Sequence, residues 1–228
     1  MRAIVKGKEC GELRAWKNKN RTSPQNLHYD YLDSATRAAM LMRLIKESGG
    51  LCAYTMKPIL MKEGKAQAHI EHLLPRKVHK DKSITWANLV ACIPQPGAAC
   101  EFGAVRKGAY DPNEEPFLLP TNRGVATRFR FRESGEVEGL SPEAIEMIKP
   151  AVLNLNHAEL VNDREAKIRA ALRHVQTAKD ARDRARALRM PDRHGSMEAY
   201  CEAVAQVLDH YAGRLERRSN RLAGAKRN

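Results

Sequence analysis

Ala68-His69-Ile70-Glu71-His72-Leu73-Leu74-Pro75-Arg76, followed by Trp86-Ala87-Asn88-Leu89-Val90-Ala91-Cys92, decides the fold of this chain. In the first run a carboxylate stands beside a histidine, and an asparagine follows that histidine by sixteen residues. Pro75 ends the strand and turns the chain away, which leaves Glu71 and His72 at an open end. A carboxylate oxygen suits a hard divalent ion, and a neutral imidazole accepts a proton from water. These are the parts of a metal-assisted phosphodiesterase, with Glu71 as metal ligand and His72 as general base. Adjacent strand residues face opposite sides, so Glu71 and His72 serve one site only where the strand ends and twists. His69 shares a strand face with Glu71 and reads as a further ligand or as a partner that orients one.

Glu71-His72-Leu73-Leu74-Pro75 resembles the first element of the HNH endonucleases: an acidic residue or histidine, then His, two apolar residues and Pro. Asn88, between Trp86 and an apolar run, resembles their middle element. The third element, a Cys-His or Cys-Asn pair followed by Lys-Gly, corresponds to Cys100-Glu101 and Lys107-Gly108, more widely spaced than usual. Lys6-Gly7-Lys8-Glu9, Gly50-Leu51-Cys52-Ala53-Tyr54 and Leu153-Asn154-Leu155-Asn156 extend the likeness to a subfamily linked to retrons and Septu-type anti-phage systems. The resemblance implies two strands and a helix around one Mg²⁺ or Mn²⁺, held by Glu71 and Glu101. It also implies an Asn88 that fixes the loop, 5′-phosphate products, and antiviral defence with an ATPase partner in control. The subfamily often reads Cys-Ala-Tyr-Cys where this chain has Cys52-Ala53-Tyr54-Thr55. Thr55 leaves Cys52, Cys92 and Cys100 without a fourth zinc ligand, so a structural Zn²⁺ is the lesser expectation. Asp111 is a competitor of Glu101 for the last ligand position.

Charge points the same way. Among 228 residues, 40 Lys and Arg against 27 Asp and Glu give a net charge of +13, which calls for a polyanionic partner such as nucleic acid. The excess is spread along the chain, with 23 basic against 15 acidic residues in 1–140 and 17 against 12 in 141–228. Arg76, Lys77, Arg106 and Lys107 flank the motif and are expected to hold phosphate oxygens, and Arg128, Arg130 and Arg132 form a second strip on one strand face. No long apolar run suggests a membrane span, no signal-peptide core is apparent, and five scattered cysteines do not make a disulfide framework. A cytoplasmic protein is the expectation.

The spacing predicts an irregular segment over residues 1–30, then a helix from Asp33 or Ser34 to Glu47 that stops at Gly49-Gly50. Residues 51–60 and 66–73 read as a strand pair, 86–92 as a second motif strand, 99–107 as a short helix and 128–138 as a hairpin. Beyond it, Ser141-Pro142 opens a helix, Asn156 with Glu159 resembles a capping box for a long helix broken at Pro191, and Ser196 opens another. On that last helix Met197, Tyr200, Val204, Leu208 and Tyr211 form a stripe that suits the protein core or a docked partner. Arg217 to Asn228 reads as a basic tail. The expectation is an α+β protein, with a ββα-metal domain over 1–140 and a helical region over 141–228. Its function is metal-dependent cleavage of nucleic acid, DNA ahead of RNA. The alternatives are an RNase and a non-catalytic nucleic-acid-binding subunit with a decayed metal site.

Overall fold

A computed structural model describes residues 1–225, with side chains to Ala223, so Lys226 to Asn228 of the expected tail lie outside the described residues. Among the described residues the fold is α+β, with seven α-helices and three small antiparallel sheets. Helix α1 spans Gly11–Lys19 and α2 spans Ser34–Glu47. Helix α1 lies in a stretch expected to be irregular. It buries only Leu13, and Glu12 in its first turn with Lys17 and Lys19 in its last suits the helix dipole. Asp33 caps α2 by accepting a 2.7 Å hydrogen bond from the Thr36 amide. Gly49 then turns the chain at φ 68°, where an added Cβ would stand 2.4 Å from Met197 Cγ.

Strands β1 (Met61–Lys62) and β2 (Lys65–Ala66) form a tight hairpin, and β3 (His69–His72) pairs with β4 (Leu89–Cys92). Residues 51–60 therefore do not form the expected partner strand. The Met56 amide donates to the Cys52 carbonyl and Met56 takes φ 61°, which curls this segment into a turn. The β3–β4 register sets His69 opposite Cys92, Glu71 opposite Val90 and His72 opposite Leu89. Helix α3 is a single turn, Ala104–Lys107, shorter than expected because Gly103 at φ 68° and Gly108 at φ 51° bound it.

Strands β5 (Phe129–Phe131) and β6 (Val137–Gly139) form the expected hairpin, followed by α4 (Pro142–Ile148), α5 (Ala158–Leu172), α6 (Ala178–Leu188) and α7 (Cys201–Ala225). Asn156 does not cap α5. Its amide bonds both the N–H and the carbonyl of Val137 at 2.9 Å, and His157 takes the cap position. The long helix expected here is two, because a Thr177–Asp180 capping box starts α6 afresh. The segment from Arg217 to Ala225 is the end of α7 rather than a tail.

Strand β4 is buried on both faces and sits between two apolar clusters. Val90 and Cys92 belong to the larger, Leu89 and Ala91 to the smaller, which α1 and α2 complete. The larger cluster joins Met1, Leu51 and Val90 to Leu160, Ala185 and Leu208, so the core does not divide at residue 140. Met197, Tyr200, Val204 and Leu208 are buried in it and Tyr211 packs against it, so of the two roles open to the stripe, core or docked partner, it takes the first. With β4 fixed from both sides, β3 is held by one edge, and among the described residues no strand pairs with its other edge.

Candidate active site

A cleft of about 940 Å³ borders His69, Glu71 and His72 of β3, part of α2, the Pro75–Val78 loop and Gly108. Residues of both strand parities reach it because it runs along the edge of β3 away from β4. His69 is oriented by the Pro94 carbonyl, 2.6 Å from its Nδ1. A carbonyl only accepts, so Nδ1 carries the proton and the Nε2 lone pair is left free. That Nε2 stands 4.0 Å from Glu71 Oε2. The other carboxylate oxygen, Oε1, lies 3.1 Å from the ammonium of Lys107 and accepts a 3.4 Å hydrogen bond from the Tyr54 hydroxyl. Burial pushes the Glu71 carboxyl up from the usual carboxylate range, opposed chiefly by the Lys107 ammonium.

His72 is held in the opposite tautomer. Its Nε2 donates to the Ser83 carbonyl at 2.9 Å, which leaves the lone pair on Nδ1, and Nδ1 makes no hydrogen bond among the described residues. The Tyr29 ring meets the imidazole edge-on, with centroids 4.8 Å apart. Burial, helped by the charges of Arg76 and Lys107 and only partly opposed by the Ser83 carbonyl and Asp30, lowers the His72 pKa to about 4, so the imidazole is neutral at physiological pH. Asn88 closes the loop between the strands. Its Oδ1 accepts from the Leu74 amide at 2.8 Å, and its Nδ2 donates to the carbonyls of Leu74 and Lys82 at 3.3 and 3.2 Å.

The structure brings His69, Glu71, His72 and Asn88 together on the β3–β4 hairpin and sends Glu101 elsewhere. Glu101 precedes α3, its side chain is 82% exposed, and it faces His157 Nε2 at 3.2 Å. Asp111, its competitor, accepts instead from His79 at 2.6 Å and ties the loop after Pro75 to the segment after α3. Among the described residues no three His, Cys, Asp or Glu side chains gather at one point, so the three-residue ligand set with Glu101 does not form. The His69–Glu71 pair does fit a divalent ion. Two atoms each about 2.1 Å from one Mg²⁺ stand at most about 4.2 Å apart, and Mg²⁺ commonly keeps waters or phosphate oxygens at its other positions. Zinc fits less well. Thr55 supplies no fourth ligand, among the described residues no three His, Cys, Asp or Glu side chains gather at one point, and the Cys100 thiol donates to the Phe102 carbonyl at 3.3 Å.

The expected phosphate-binding cations divide. Lys107 is fully buried, bound to Glu71 and to the His72 carbonyl at 3.2 Å, and so is no surface contact. Arg106 bonds the Pro150 carbonyl at 3.0 and 2.8 Å, and Arg76 pairs with Asp30 at the cleft rim. Arg130 and Arg132 share Glu138, at 3.8 and 2.5 Å, while Lys77 and Arg128 are exposed. Tyr29, Tyr54 and Ser83 escape a reading of the sequence, because they act through a ring edge, a neutral hydroxyl and a backbone carbonyl and belong to no charged motif. Compared with known family models and with characterised proteins, the chain matches none. No described helix is long and apolar enough to cross a membrane.

Proposed function

We propose that this protein is a metal-dependent endonuclease that hydrolyses nucleic acid phosphodiesters at the β3 edge. The observation that carries the reading is the pairing of two oppositely held histidines. His69 presents a free Nε2 beside Glu71 Oε2, and His72 presents a free Nδ1 into the same cleft. In this reading His69 and Glu71 hold a Mg²⁺ or Mn²⁺ ion, which when bound supplies electrostatic stabilisation of the phosphoryl charge. His72 Nδ1 accepts the proton of the attacking water, while Ser83 fixes the ring and its tautomer. Lys107 and Tyr54 orient the Glu71 carboxylate through Oε1. Asn88 holds the loop that carries the Ser83 carbonyl.

The resemblance to the HNH endonucleases supports the same reading and extends it to a defence nuclease under an ATPase partner. Since the α7 stripe lies in the core, such a partner would bind another surface. One observation favours a second reading, a nucleic-acid-binding subunit without metal: the Lys107 ammonium already compensates the Glu71 charge. Cleavage of plasmid DNA and of structured RNA by metal-stripped protein, with and without Mg²⁺ or Mn²⁺, separates the two. Cleavage that needs the ion and disappears in His72→Ala is the expected result. Mn²⁺ binding that is absent, or unchanged in His69→Ala and Glu71→Gln, would establish the second reading instead.

A further inference from the structure

The cleft beside β3 carries four basic residues, Arg37, Lys65, Arg76 and Lys77, against the single carboxylate of Glu71. Its wall is also apolar where solvent reaches it. Met42 is 48% exposed and Val78 is 66% exposed, and both border the cleft. Exposed apolar side chains among cations suit a polynucleotide whose bases are free to leave the stack, because base faces leave water by packing on the apolar surface while phosphates meet the charges. The concave shape suits a single strand better than a duplex. His72 is recessed at 8% exposure, and about 940 Å³ is the upper end of the roughly 300–1,000 Å³ range that encloses a drug-sized ligand, the size class of a nucleotide. Readers of duplex DNA push a helix or ribbon outward into a groove, whereas here the reactive groups line a concavity.

We propose that the cleft takes an unpaired polynucleotide strand, with at least one base against Met42 and Val78. This deepens the proposed function and rests on it for the place of the scissile phosphate. Lys65 and Lys77 are exposed and have no carboxylate partner among the described residues, so they are free to meet the phosphates on either side.

The test is fluorescence anisotropy with full-length His72→Ala protein in EDTA, so that neither cleavage nor metal enters the reading. The probes are a thymine-rich DNA oligonucleotide, the same strand annealed to its complement, a version with abasic sites, and the matching RNA. At least tenfold tighter binding of the single strand than of the duplex is expected. Met42→Ser with Val78→Ser, both at exposed positions, should weaken single-strand binding roughly tenfold, to the level of the abasic probe on unaltered walls. Equal binding of the RNA supports the same inference, since no contact invoked here involves the 2′ position; much weaker RNA binding assigns the cleft to DNA. Equal affinity for duplex and single strand, or a double variant that binds like its parent, would overturn it. Loss of cleavage by the wild-type protein with strand preference intact would remove the nuclease reading alone.

Discussion

The Lys107 ammonium lies 3.1 Å from Glu71 Oε1 with its side chain wholly buried, and the same ammonium donates to the His72 carbonyl. One cation thus fixes the carboxylate and the backbone of the neighbouring histidine. Coulombic attraction at this distance is strong in a dry site, but it is set against the cost of taking both charges out of water. The consequence is asymmetric: removing one partner leaves the other charged, buried and alone.

Lys107→Met should therefore destabilise the protein at neutral pH, by about 3–5 kcal/mol on the usual cost of breaking a buried pair. Burial already pushes the Glu71 carboxyl up, and the lysine is the main opposing influence. Without it Glu71 takes a proton more readily, so the penalty should shrink as the pH falls toward 5. Urea denaturation at pH 7.5 and pH 5 checks the trend, and Lys107→Met with Glu71→Gln should recover most of the loss. A penalty that does not change with pH would mean that the pair contributes packing and not charge.

Glu71-His72, Pro75 and Asn88 were legible because strand ends, a proline stop and a loop asparagine are local features. The role of Lys107 was not legible, since lysine is so seldom buried that beside a glycine it reads as a phosphate contact. Glu101 was misplaced for a geometric reason: Gly103 starts the last helix only at Ala104, so a residue counted onto that helix falls outside it. Helix α1 was hidden by its single buried residue, Leu13, which leaves no apolar period to detect. The stripe on α7 shows the limit of patterns, since periodicity marks a buried face but not what covers it.

His72 should leave its mark on pH profiles. Its pKa near 4 lies below the ordinary 6.5, so the neutral, proton-accepting form persists through mildly acidic pH. The acid limb of kcat/KM should fall well below pH 6, and His72→Ala should lower cleavage roughly 10²–10⁴-fold. Stability moves with the same sign: the unfolded imidazole protonates first, so stability is full above pH 6.5 and declines from there toward pH 4. That decline is on the order of 3 kcal/mol. Melts of wild type and His72→Gln across this range test it, and parallel curves would refute the burial of a neutral ring.

Asn88→Ala removes three hydrogen bonds and strands the Leu74 amide in a region where Asn88 itself is only 6% exposed. A buried donor left without a partner costs about 1–3 kcal/mol, and the loop that positions the Ser83 carbonyl should loosen with it. Hydrogen exchange at Leu74 should accelerate more than exchange in α5 or α6. Asn88→Asp keeps the acceptor for the Leu74 amide and loses the donor to the carbonyls of Leu74 and Lys82, so it should fall between wild type and Asn88→Ala. An Asn88→Ala protein with wild-type exchange at Leu74 would show that the loop is held by other means, such as the His79–Asp111 hydrogen bond.

Truncation after Pro191 asks how far the β3–β4 hairpin depends on the C-terminal helices. The deleted segment holds Met197, Tyr200, Val204, Ala205 and Leu208, all buried in the cluster that also packs Leu51, Cys52 and Val90. Tyr200 further donates to Asp163 at 2.9 Å, and the Met197 amide donates to the Gly49 carbonyl at 2.9 Å. Each large side chain lost from a packed core costs about 2–5 kcal/mol, so losing several exceeds the roughly 5–15 kcal/mol by which a typical domain is stable. The truncated chain should fail to give a cooperative thermal transition and should bind a hydrophobic dye, while Leu208→Ala in the full chain should melt cooperatively at a lower temperature. A truncated protein with a sharp transition would mean that residues 1–191 form an independent unit, and that α7 is held as an appendage despite its burial.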